Sequence, residues 1–323
     1  MAGDTNDLKK IAITGAAGSL GDAIIKQLLK HLPELEILGL DVSTPKRQRN
    51  SSRLTYVKRD VRDKAIQGDF EGVDAVIHLA FIVEKTGGLS EEEIESINLG
   101  GTKNVFNACA AAGVKQVVYA SSVAAYGMHE DRHNDILTED CELRGNPDFF
   151  YSHHKSLVEY WLNEFEKDNA DIKIARLRPC IFAGQDSPTR PVRLLAYTPI
   201  IPTLLGFDGA QLQLAHEEDV AMAFRLALVK KAHGAYNLTT EGALTMRDIA
   251  PEMGKWTFPI PKVVLKLGSI AHRFGLSPYD PEWLIKASRA NVIMSAEKAR
   301  AELGWEPKYD SPGAVLRAMA GKS

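Results

Sequence analysis

Three glycines spaced three residues apart constrain this chain more than any other feature of its sequence. They lie in residues 10–21, where a short apolar run comes first and Gly15, Gly18 and Gly21 follow. The apolar run predicts a buried strand, and the residues after the last glycine predict a helix. At such a turn Gly15 allows the sharp bend, Gly18 lets a pyrophosphate approach the backbone, and Gly21 lets the helix pack close to the sheet.

The second strand ends in an acid that fits the same kind of site. Asp41 closes the next apolar run, 20 residues after Gly21. A carboxylate there accepts hydrogen bonds from both hydroxyls of an adenosine ribose and repels a 2′-phosphate, and the helix N-terminus binds the pyrophosphate. The sequence therefore predicts a dinucleotide site that prefers NAD. NADP stays the less favoured alternative, because the side chains of Lys46, Arg47 and Arg49 can fold back on a 2′-phosphate.

The composition excludes several classes of protein. The 323 residues carry 39 basic and 42 acidic side chains, and the net charge of −3 argues against a nucleic-acid partner. Cys109, Cys141 and Cys180 lie far apart, which predicts free thiols in a reducing cytoplasm and no metal site. The first residues lack the apolar core of a signal peptide, and no run is long enough to span a membrane, so no membrane association is expected.

Strands and helices alternate through the first half of the chain, the pattern of a parallel sheet with helices on both faces. We predict a doubly wound α/β (Rossmann) domain at residues 1–180, to which the chain returns at about 209–233. A smaller, mostly helical substrate-binding subdomain takes residues 181–208 and 234–323. The predicted strands cover residues 11–14, 36–40, 54–59, 74–80, 116–121 and 172–177, and two long helices cover 94–112 and 151–168.

The character of the chain changes after Pro179. Prolines crowd residues 188–207, which predicts no regular structure there. From Ala243 onward the pattern is mostly helical, and residues 263–274 have one apolar helical face. That face can bind a membrane or a partner, but packing on the core is the favoured interpretation.

Tyr151 and Lys155 form the sharpest chemical signal. They are four residues apart, so they share one face of a helix. A cationic lysine favours the phenolate and lowers the pKa of the tyrosine, which can then exchange a proton with an alcohol oxygen while a hydride moves at the adjacent carbon. Lys155 can also hold the nicotinamide ribose. Ser122 closes the fifth strand, where its hydroxyl can donate a hydrogen bond to the same oxygen.

Three polar residues near the other strand ends each have two interpretations. Asp60 binds the adenine amino group or caps a helix, and both can be true. His78 is better explained as a buried structural residue than as a catalytic one, with Leu79 and Ala80 lining the path of the ribose and pyrophosphate. Asn98 either ties the cofactor site to the neighbouring strand or is a surface amide.

Motifs from end to end of the chain resemble those of extended short-chain dehydrogenases/reductases, the NAD-dependent epimerase/dehydratase family. The matching residues are the glycine-rich turn at 14–21, Asp60-Val61-Arg62-Asp63, His78-Leu79-Ala80, Asn98-x-x-Gly101-Thr102-x-Asn104, Ser121-Ser122-x-x-x-Tyr126-Gly127, Tyr151-x-x-x-Lys155, Arg178-Pro179, His216-x-x-Asp219-Val220-Ala221 and Leu303-Gly304-Trp305-x-Pro307.

The resemblance implies roles for individual residues. Ser122 is the catalytic hydroxyl, Tyr151 the acid/base and Lys155 its partner. The cofactor contacts that it implies are Gly15, Gly18, Ser19, Leu20, Gly21, Asp41, Asp60, Val61, Leu79, Ala80, Phe81, Asn98, Ala120, Tyr151, Lys155 and Pro179. Members of the family often form homodimers through the two long helices, here residues 94–112 and 151–168.

Departures from the family pattern bear on the substrate. Dehydratases of the family carry Asp-Glu where this chain has Val123-Ala124, and epimerases carry Asn where it has Ile181. Residues 184–216 are short and apolar, although Arg190 and Arg193 can bind a phosphate. We therefore expect a hydride-transferring oxidoreductase for a small or apolar alcohol or ketone, like the 3β-hydroxysteroid-dehydrogenase-like members, with substrate contacts from Val123, Ile181, Arg190 and Arg193. The alternatives are a nucleotide-sugar 4-epimerase with tightly bound NAD and a non-catalytic NAD-binding regulator.

Overall fold

A computed structural model describes residues 8–45, 47, 49–85, 88–132, 135–184, 200–204, 211–273 and 291–320. Its strands are β1 (Lys10–Thr14), β2 (Glu36–Asp41), β3 (Leu54–Lys58), β4 (Ala75–His78), β5 (Gln116–Ala120), β6 (Ile136–Leu137), β7 (Lys173–Pro179), β8 (Ile181–Ala183), β9 (Ile200–Leu204), β10 (Leu214–His216), β11 (Gly234–Leu238), β12 (Trp256–Ile260) and β13 (Ile293–Met294). Its α-helices are α1 (Ser19–His31), α2 (Ile66–Asp69), α3 (Glu91–Glu95), α4 (Thr102–Ala111), α5 (Phe150–Asp168), α6 (Glu217–Val229), α7 (Met246–Glu252), α8 (Lys262–Arg273) and α9 (Pro312–Met319).

Seven parallel strands form the central sheet, which confirms the predicted doubly wound architecture. Their order is β11-β7-β5-β4-β1-β2-β3. The order of the strands reverses between β1 and β4, and in such sheets this switch point opens a crevice at the carboxyl ends of the strands. The glycine-rich turn that follows β1 and the His78-Leu79-Ala80 segment at the end of β4 therefore flank the crevice.

The strands are apolar on both faces because helices cover both sides of the sheet. On one side Ile11 and Ile13 of β1 belong to a buried cluster that includes Ile24 of α1 and Phe224 of α6. On the other side Ala12 belongs to a cluster with residues of α4 and α5. The side chains of successive residues in β1 thus enter opposite layers of the core, as the twofold period of a strand requires.

The sheet extends beyond the predicted domain boundary. Residues from 234 onward were assigned to the substrate-binding subdomain, but β11 forms the edge of the seven-stranded sheet beside β7. Its five residues pair in parallel with the last five of β7, from Gly234 opposite Ala175 to Leu238 opposite Pro179. The boundary is corrected at this strand, because its backbone hydrogen bonds belong to the dinucleotide-binding sheet.

The prediction of no regular structure in the proline-rich segment was wrong, because part of it forms β9. Its partner β12 lies in the part after Ala243 whose described elements are mostly helical, as predicted. The two strands pair in parallel as a separate two-stranded sheet, in which Pro202 lies opposite Phe258. Proline is tolerated there because both strands of a two-stranded sheet are edges. The rest of 188–207, including Arg190 and Arg193, lies outside the described residues.

The predicted helix at residues 94–112 is divided. A capping box of Ser90 and Glu93 begins α3, a π-helical segment spans Ser96–Gly101, and α4 continues to Ala111. A Cβ at Gly101 would lie 2.5 Å from the side chain of Val61. The π segment therefore crosses close to the residues after β3, and local widening of this kind is frequent at functional sites.

The motifs of the last third hold the end of the chain against the sheet domain. The Asp219 carboxylate accepts hydrogen bonds from the backbone N–H of Lys308 (2.8 Å) and of Tyr309 (3.1 Å). The fully buried Trp305 donates its indole N–H to the Asp219 carbonyl oxygen at 2.8 Å. Asp219 and Trp305 are thus structural residues that attach the C-terminal segment to α6.

The apolar side of α8 does not pack on the core, which corrects the interpretation favoured from the sequence. The side chains of Val263, Leu267 and Ile270 are exposed.

Among the described residues there is no helix long and apolar enough to cross a membrane. Nor do the described side chains bring together three or more His, Cys, Asp or Glu that could hold a metal ion.

Gly21→Ala tests whether the close approach of α1 to the glycine-rich turn matters. A Cβ there would lie 2.7 Å from the Gly15 carbonyl oxygen and 2.8 Å from that of Ala16, so the backbone must move. We expect a loss of about 1–3 kcal/mol in the free energy of unfolding, measured with urea. Gly68→Ala is the control, since a Cβ at this exposed helical position meets nothing within 4 Å and should stabilise by about 0.5–1 kcal/mol. Equal stability of the two variants would contradict the packing argument.

Candidate active site

Ser122 and Tyr151 meet at the carboxyl edge of the sheet. Ser122 follows β5, and its hydroxyl accepts a hydrogen bond from the Ala124 N–H at 3.1 Å as it begins a 3₁₀ turn. Tyr151 lies in the first turn of α5, and the side chain of Ser122 is close enough to its hydroxyl to lower the pKa of the phenol. The fold thus places two hydroxyls, one from a strand end and one from a helix start, where they can hold a single oxygen atom.

Lys155 is buried one turn further along α5, but it is not directed at the Tyr151 hydroxyl. Its Nζ donates to the Ala120 carbonyl oxygen at 2.6 Å and to the Tyr119 hydroxyl at 3.2 Å. The ammonium also lies 3.6 Å from the centroid of the Phe81 ring and 5.8 Å from that of Tyr151. Backbone, hydroxyl and aromatic faces therefore replace the water that this cation has lost.

The acid–base properties differ from the sequence expectation. Burial raises the pKa of Tyr151, and the hydrogen bond from Ser122 only partly opposes this shift. Burial lowers the pKa of Lys155 to about 7, against the attraction of Glu159. The prediction that Lys155 lowers the pKa of Tyr151 was wrong for this arrangement, because desolvation disfavours phenolate and ammonium alike. Tyr151 is consequently protonated at neutral pH.

The glycine-rich turn is built as the sequence predicted. Gly15 has a φ of +72°, and a Cβ there would lie 2.7 Å from the backbone nitrogen of Ala80. Only glycine fits, so the end of β1 can approach the segment after β4. Gly18 is the N-cap residue of α1, and Ser19 and Leu20 are the first two residues of that helix. The turn therefore leads directly into a helix N-terminus, the arrangement that binds a pyrophosphate.

Asp41 lies beside the same turn. Its carboxylate accepts hydrogen bonds from the backbone N–H of Ala17 at 3.0 Å and of Ser43 at 2.8 Å. Arg49, one of the cations considered for a 2′-phosphate, instead forms two hydrogen bonds of 2.6 Å to Asp22. The structure thus places an acid beside the glycine-rich turn and pairs Arg49 with Asp22, while Lys46 lies outside the described residues.

His78 is a structural residue, as the sequence analysis favoured. Its ring is fully buried, with one nitrogen 2.6 Å from the Thr14 hydroxyl and the other 3.0 Å from the Thr102 hydroxyl. Burial, followed by the charge of Lys155, lowers its pKa to about 3, so the ring is neutral at physiological pH. This imidazole joins the ends of β1 and β4 to α4 below the crevice.

Asn98 ties the site together across the π segment. The amide is fully buried, which excludes the surface interpretation. Its oxygen accepts from the Ile82 N–H at 2.7 Å, and its nitrogen donates to the Ile82 carbonyl at 3.1 Å and to the His154 ring at 3.3 Å. The residues after β4, which include Phe81, are thereby held against α5.

Asp60 and Val61 follow β3 at the far side of the crevice. Asp60 accepts from the Arg62 N–H at 2.9 Å and forms an ion pair with its guanidinium at 2.6 Å, and the hydrogen bonds of Arg62 lower its pKa. The prediction that Asp60 caps a helix was wrong, because its carboxylate stabilises a turn and the next helix, α2, begins only at Ile66 with Ala65 as its N-cap. Contact with an adenine stays a prediction.

Sequence reasoning missed the most strongly charged part of this region. Glu159 has the spacing of a surface residue on α5, yet its side chain is fully buried. It accepts hydrogen bonds from the Ser121 hydroxyl at 2.6 Å and from Arg178 at 2.8 and 3.0 Å, and Arg176 lies 3.3 Å away. Burial alone would raise the pKa of Glu159, but the two arginines lower it below its ordinary value. Ser121, which precedes Ser122, is thus hydrogen-bonded to the Glu159 carboxylate, and Glu159 lies two helical turns after Tyr151 in α5.

The network continues from Arg178 across the sheet. Arg178 donates to the Tyr126 hydroxyl at 2.9 Å, and Tyr126 in turn donates to the Asn237 side chain at 2.8 Å. A signal for this cluster was present in the sequence, because Arg176 and Arg178 alternate within an otherwise apolar strand. Two cations on one face of a buried strand require a buried acid as partner.

The remaining predicted residues lie around this centre. Leu79, Ala80 and Phe81 directly follow β4, and Ala120 is the last residue of β5. Val123 begins the 3₁₀ turn, and Pro179 and Ile181 lie at the end of β7 and the start of β8. All of them therefore lie at or next to carboxyl ends of strands in the described part of the chain.

Comparison with known proteins identifies the family. A family model described as 3-beta hydroxysteroid dehydrogenase/isomerase matches residues 12–198, which span the glycine-rich turn, Ser122, Tyr151 and Lys155. The chain belongs to the 3-beta hydroxysteroid dehydrogenase/isomerase family. This agrees with the resemblance to extended short-chain dehydrogenases/reductases.

Proteins similar to this chain in sequence or in fold are found in distant organisms. An uncharacterized protein of Mycobacterium tuberculosis is 27% identical over 310 residues, 93% of this chain and 81% of the relative. The 3 beta-hydroxysteroid dehydrogenase/Delta 5→4-isomerase of Monkeypox virus is 28% identical over 181 residues, 54% of this chain and 52% of that protein. The crystal structure of UDP-glucose 4-epimerase from Thermus thermophilus, a complex with NAD, is 23% identical, covers 97% of this chain and 98% of its own, and has a TM-score of 0.74. At this identity the structural likeness shows the fold.

Glu159→Gln tests the buried network of this dehydrogenase/isomerase-family member. Removal of the charge leaves the buried Arg178 without its counterion, while Arg176 keeps Glu166, so we expect the free energy of unfolding to fall by about 3–5 kcal/mol. Urea denaturation monitored by circular dichroism measures this loss. Glu164→Gln on the same helix is the matched control, because the Glu164 pair with Lys167 is solvent-exposed and should contribute little. Similar losses of unfolding free energy in both variants would show that the buried ion pair contributes no more to stability than the exposed one.

Proposed function

We propose that this family member is an NAD-dependent oxidoreductase that transfers a hydride between nicotinamide and a secondary alcohol or ketone of a small or apolar substrate. The observation that carries the proposal is that the Ser122 and Tyr151 side chains, one from the end of β5 and one from the start of α5, lie next to each other. The pair lies at the carboxyl edge of the sheet, where the ligands of such folds bind.

The residues present fit NAD as the cofactor. The glycine-rich turn leaves no room for a Cβ at Gly15 and leads into the N-terminus of α1, which suits a pyrophosphate. The Asp41 carboxylate lies 3.0 Å from the backbone of this turn and would accept hydrogen bonds from the adenosine ribose. The epimerase of similar fold from Thermus thermophilus is an NAD complex. When bound, the nicotinamide ring supplies or accepts the hydride.

Ser122 and Tyr151 act on the substrate oxygen. The Ser122 hydroxyl holds this oxygen, and the protonated Tyr151 donates a proton to it as a ketone becomes an alcohol. In the reverse direction the phenolate takes the proton from the alcohol. Because burial raises the pKa of Tyr151, the resting residue is ready to donate at neutral pH, and oxidation should become faster as the pH rises. Lys155, whose Nζ donates to the Ala120 carbonyl oxygen, would contact the nicotinamide ribose.

The substrate is proposed to be apolar. The positions that carry acids in dehydratases hold Val123 and Ala124, and Ile181 takes the place of the epimerase asparagine. The family model and the viral relative both bear the name of a 3β-hydroxysteroid dehydrogenase. These features favour an alcohol or ketone on an apolar skeleton over a nucleotide sugar. A homodimer through residues 94–112 and 151–168 stays a prediction; on α5, Leu157 and Tyr160 are exposed.

Tyr151→Phe should abolish hydride transfer without loss of cofactor binding. General acid–base catalysis contributes about 10²–10⁴-fold, so we expect turnover to fall at least a hundredfold. The assay follows NADH absorbance with a panel of 3β-hydroxysteroids and simple secondary alcohols and ketones, and calorimetry follows NAD binding. Tyr160→Phe, on the exposed side of the same helix, is the control. Full turnover in Tyr151→Phe would refute the mechanism, and tight binding of UDP- or GDP-sugars with no net NADH would favour the epimerase instead.

Asp41→Asn should weaken the preference for NAD. Loss of the charge removes both a charged hydrogen-bond acceptor, typically worth about 1.5–3 kcal/mol, and the repulsion of a 2′-phosphate. We expect the ratio of the NADP and NAD dissociation constants to fall by about tenfold or more. Calorimetric titration of both cofactors measures this ratio. Asp171→Asn, an exposed change beside the amino end of β7, should leave it unaltered. An unchanged ratio in Asp41→Asn would place the ribose elsewhere.

A further inference from the structure

A second acid lies close to the glycine-rich turn, at the start of α1. Asp22 is in the first turn of this helix, and its backbone N–H donates to the carbonyl oxygen of the N-cap residue Gly18 at 2.9 Å. The helix N-terminus is the part of α1 that suits a pyrophosphate. Asp22 therefore lies at the end of the helix that is nearest to the proposed dinucleotide.

Asp22 binds the guanidinium group of Arg49 through both of its carboxylate oxygens. The Arg49 Nε donates to Oδ1 and Nη2 donates to Oδ2, each at 2.6 Å. The side chains of Arg49 and Asp22 are only 26% and 24% exposed, so the pair is partly removed from water. A bidentate pair of this kind is stronger than an ordinary surface ion pair. It joins the first turn of α1 to the segment between β2 and β3.

Tyr56 of β3 shows that this ion pair and Asp41 lie in one neighbourhood. A Cβ at Gly39 would lie 2.7 Å from the Tyr56 ring and 3.0 Å from the Cβ of Ala16, so the ring packs beside the glycine-rich turn. Burial raises the pKa of Tyr56, the charges of Asp22 and Asp41 raise it further, and the guanidinium opposes them. Both carboxylates and the guanidinium therefore act on the same phenol.

The segment after β2 would by itself attract a phosphate. Residues 42–50 contain Lys46, Arg47 and Arg49 and no acid. A guanidinium that donates two hydrogen bonds to a carboxylate must break them before it can bind a phosphate in the same way. The pairing with Asp22 thus withdraws Arg49 from the cations that a 2′-phosphate could use.

We propose that Asp22 is a positioning residue that sets the cofactor preference by keeping Arg49 from a 2′-phosphate. Asp41 repels this phosphate directly, and Asp22 removes a cation that would otherwise attract it. The preference for NAD then depends on two acids, one at the end of β2 and one on α1. The inference rests on the proposed function, because it requires a dinucleotide at the glycine-rich turn.

The test is calorimetric titration of NAD and NADP into the Asp22→Asn variant. Release of Arg49 should lower the ratio of the NADP and NAD dissociation constants by about tenfold or more, since a charged hydrogen bond to the phosphate is gained. Asp22→Glu should keep the wild-type ratio, because the guanidinium keeps an anionic partner. Glu252→Gln is the matched control, since it removes the acid of an ion pair with Arg317 between α7 and α9 and should not change the ratio. Circular dichroism shows that each variant is folded.

A double variant separates the release of a cation from the loss of a negative charge. Asp22→Asn/Arg49→Gln has no cation to release, so most of the gain in NADP affinity should be absent when it is compared with Arg49→Gln. An equal gain in both backgrounds would show that Asp22 acts through its charge alone and would overturn the inference.

Two further outcomes distinguish this inference from the proposed function. If the wild-type protein and Asp22→Asn bind NAD with the same ratio of dissociation constants, the inference fails and the dinucleotide site stands. If the wild-type protein binds neither NAD nor NADP, the proposed function fails, and the inference fails with it.

Discussion

The buried carboxylate of Glu159 is the interaction on which the candidate site depends. It lies on the same helix as Tyr151 and Lys155, and it binds Ser121 on one strand and Arg178 on the next. Because an unpaired charge is very costly in the protein interior, the helix cannot rotate or slide without a large penalty. The geometry of the two hydroxyls at Ser122 and Tyr151 is therefore fixed by an ion pair that takes no part in the proposed chemistry.

Neutral polar groups fix the other half of the crevice. His78 joins two strand ends to α4 through hydroxyl groups, and Asn98 holds the backbone after β4 against α5. Each of these side chains is fully buried and has its hydrogen bonds satisfied by neighbours from distant parts of the chain. The glycine-rich turn and α5 are thus joined through a hydrogen-bonded polar layer, and a cofactor in the crevice would find both sides preorganised.

Much of the fold and most of the candidate site could be predicted from the sequence. The glycines at 15, 18 and 21 have few other uses after a buried strand, and Tyr151 and Lys155 must share a helix face because they are four residues apart. The errors came where partners distant in sequence decide the outcome. Glu159 has the spacing of a surface residue, and only its pairing with Arg176 and Arg178 of β7 explains its burial. The proline of β9 suggests a loop, and only the pairing with β12 shows that the segment is a strand.

The sequence by itself determined the doubly wound sheet, the turn for a dinucleotide and the set of hydroxyl and lysine residues, because each of these follows from local spacing and strand or helix period. Only the tertiary structure decided where Lys155 donates its hydrogen bonds, which way burial moves the pKa of Tyr151, and that the apolar side of α8 faces solvent. The reason is physical: desolvation and exposure are properties of a side chain's surroundings, and those surroundings come from segments far away in the chain.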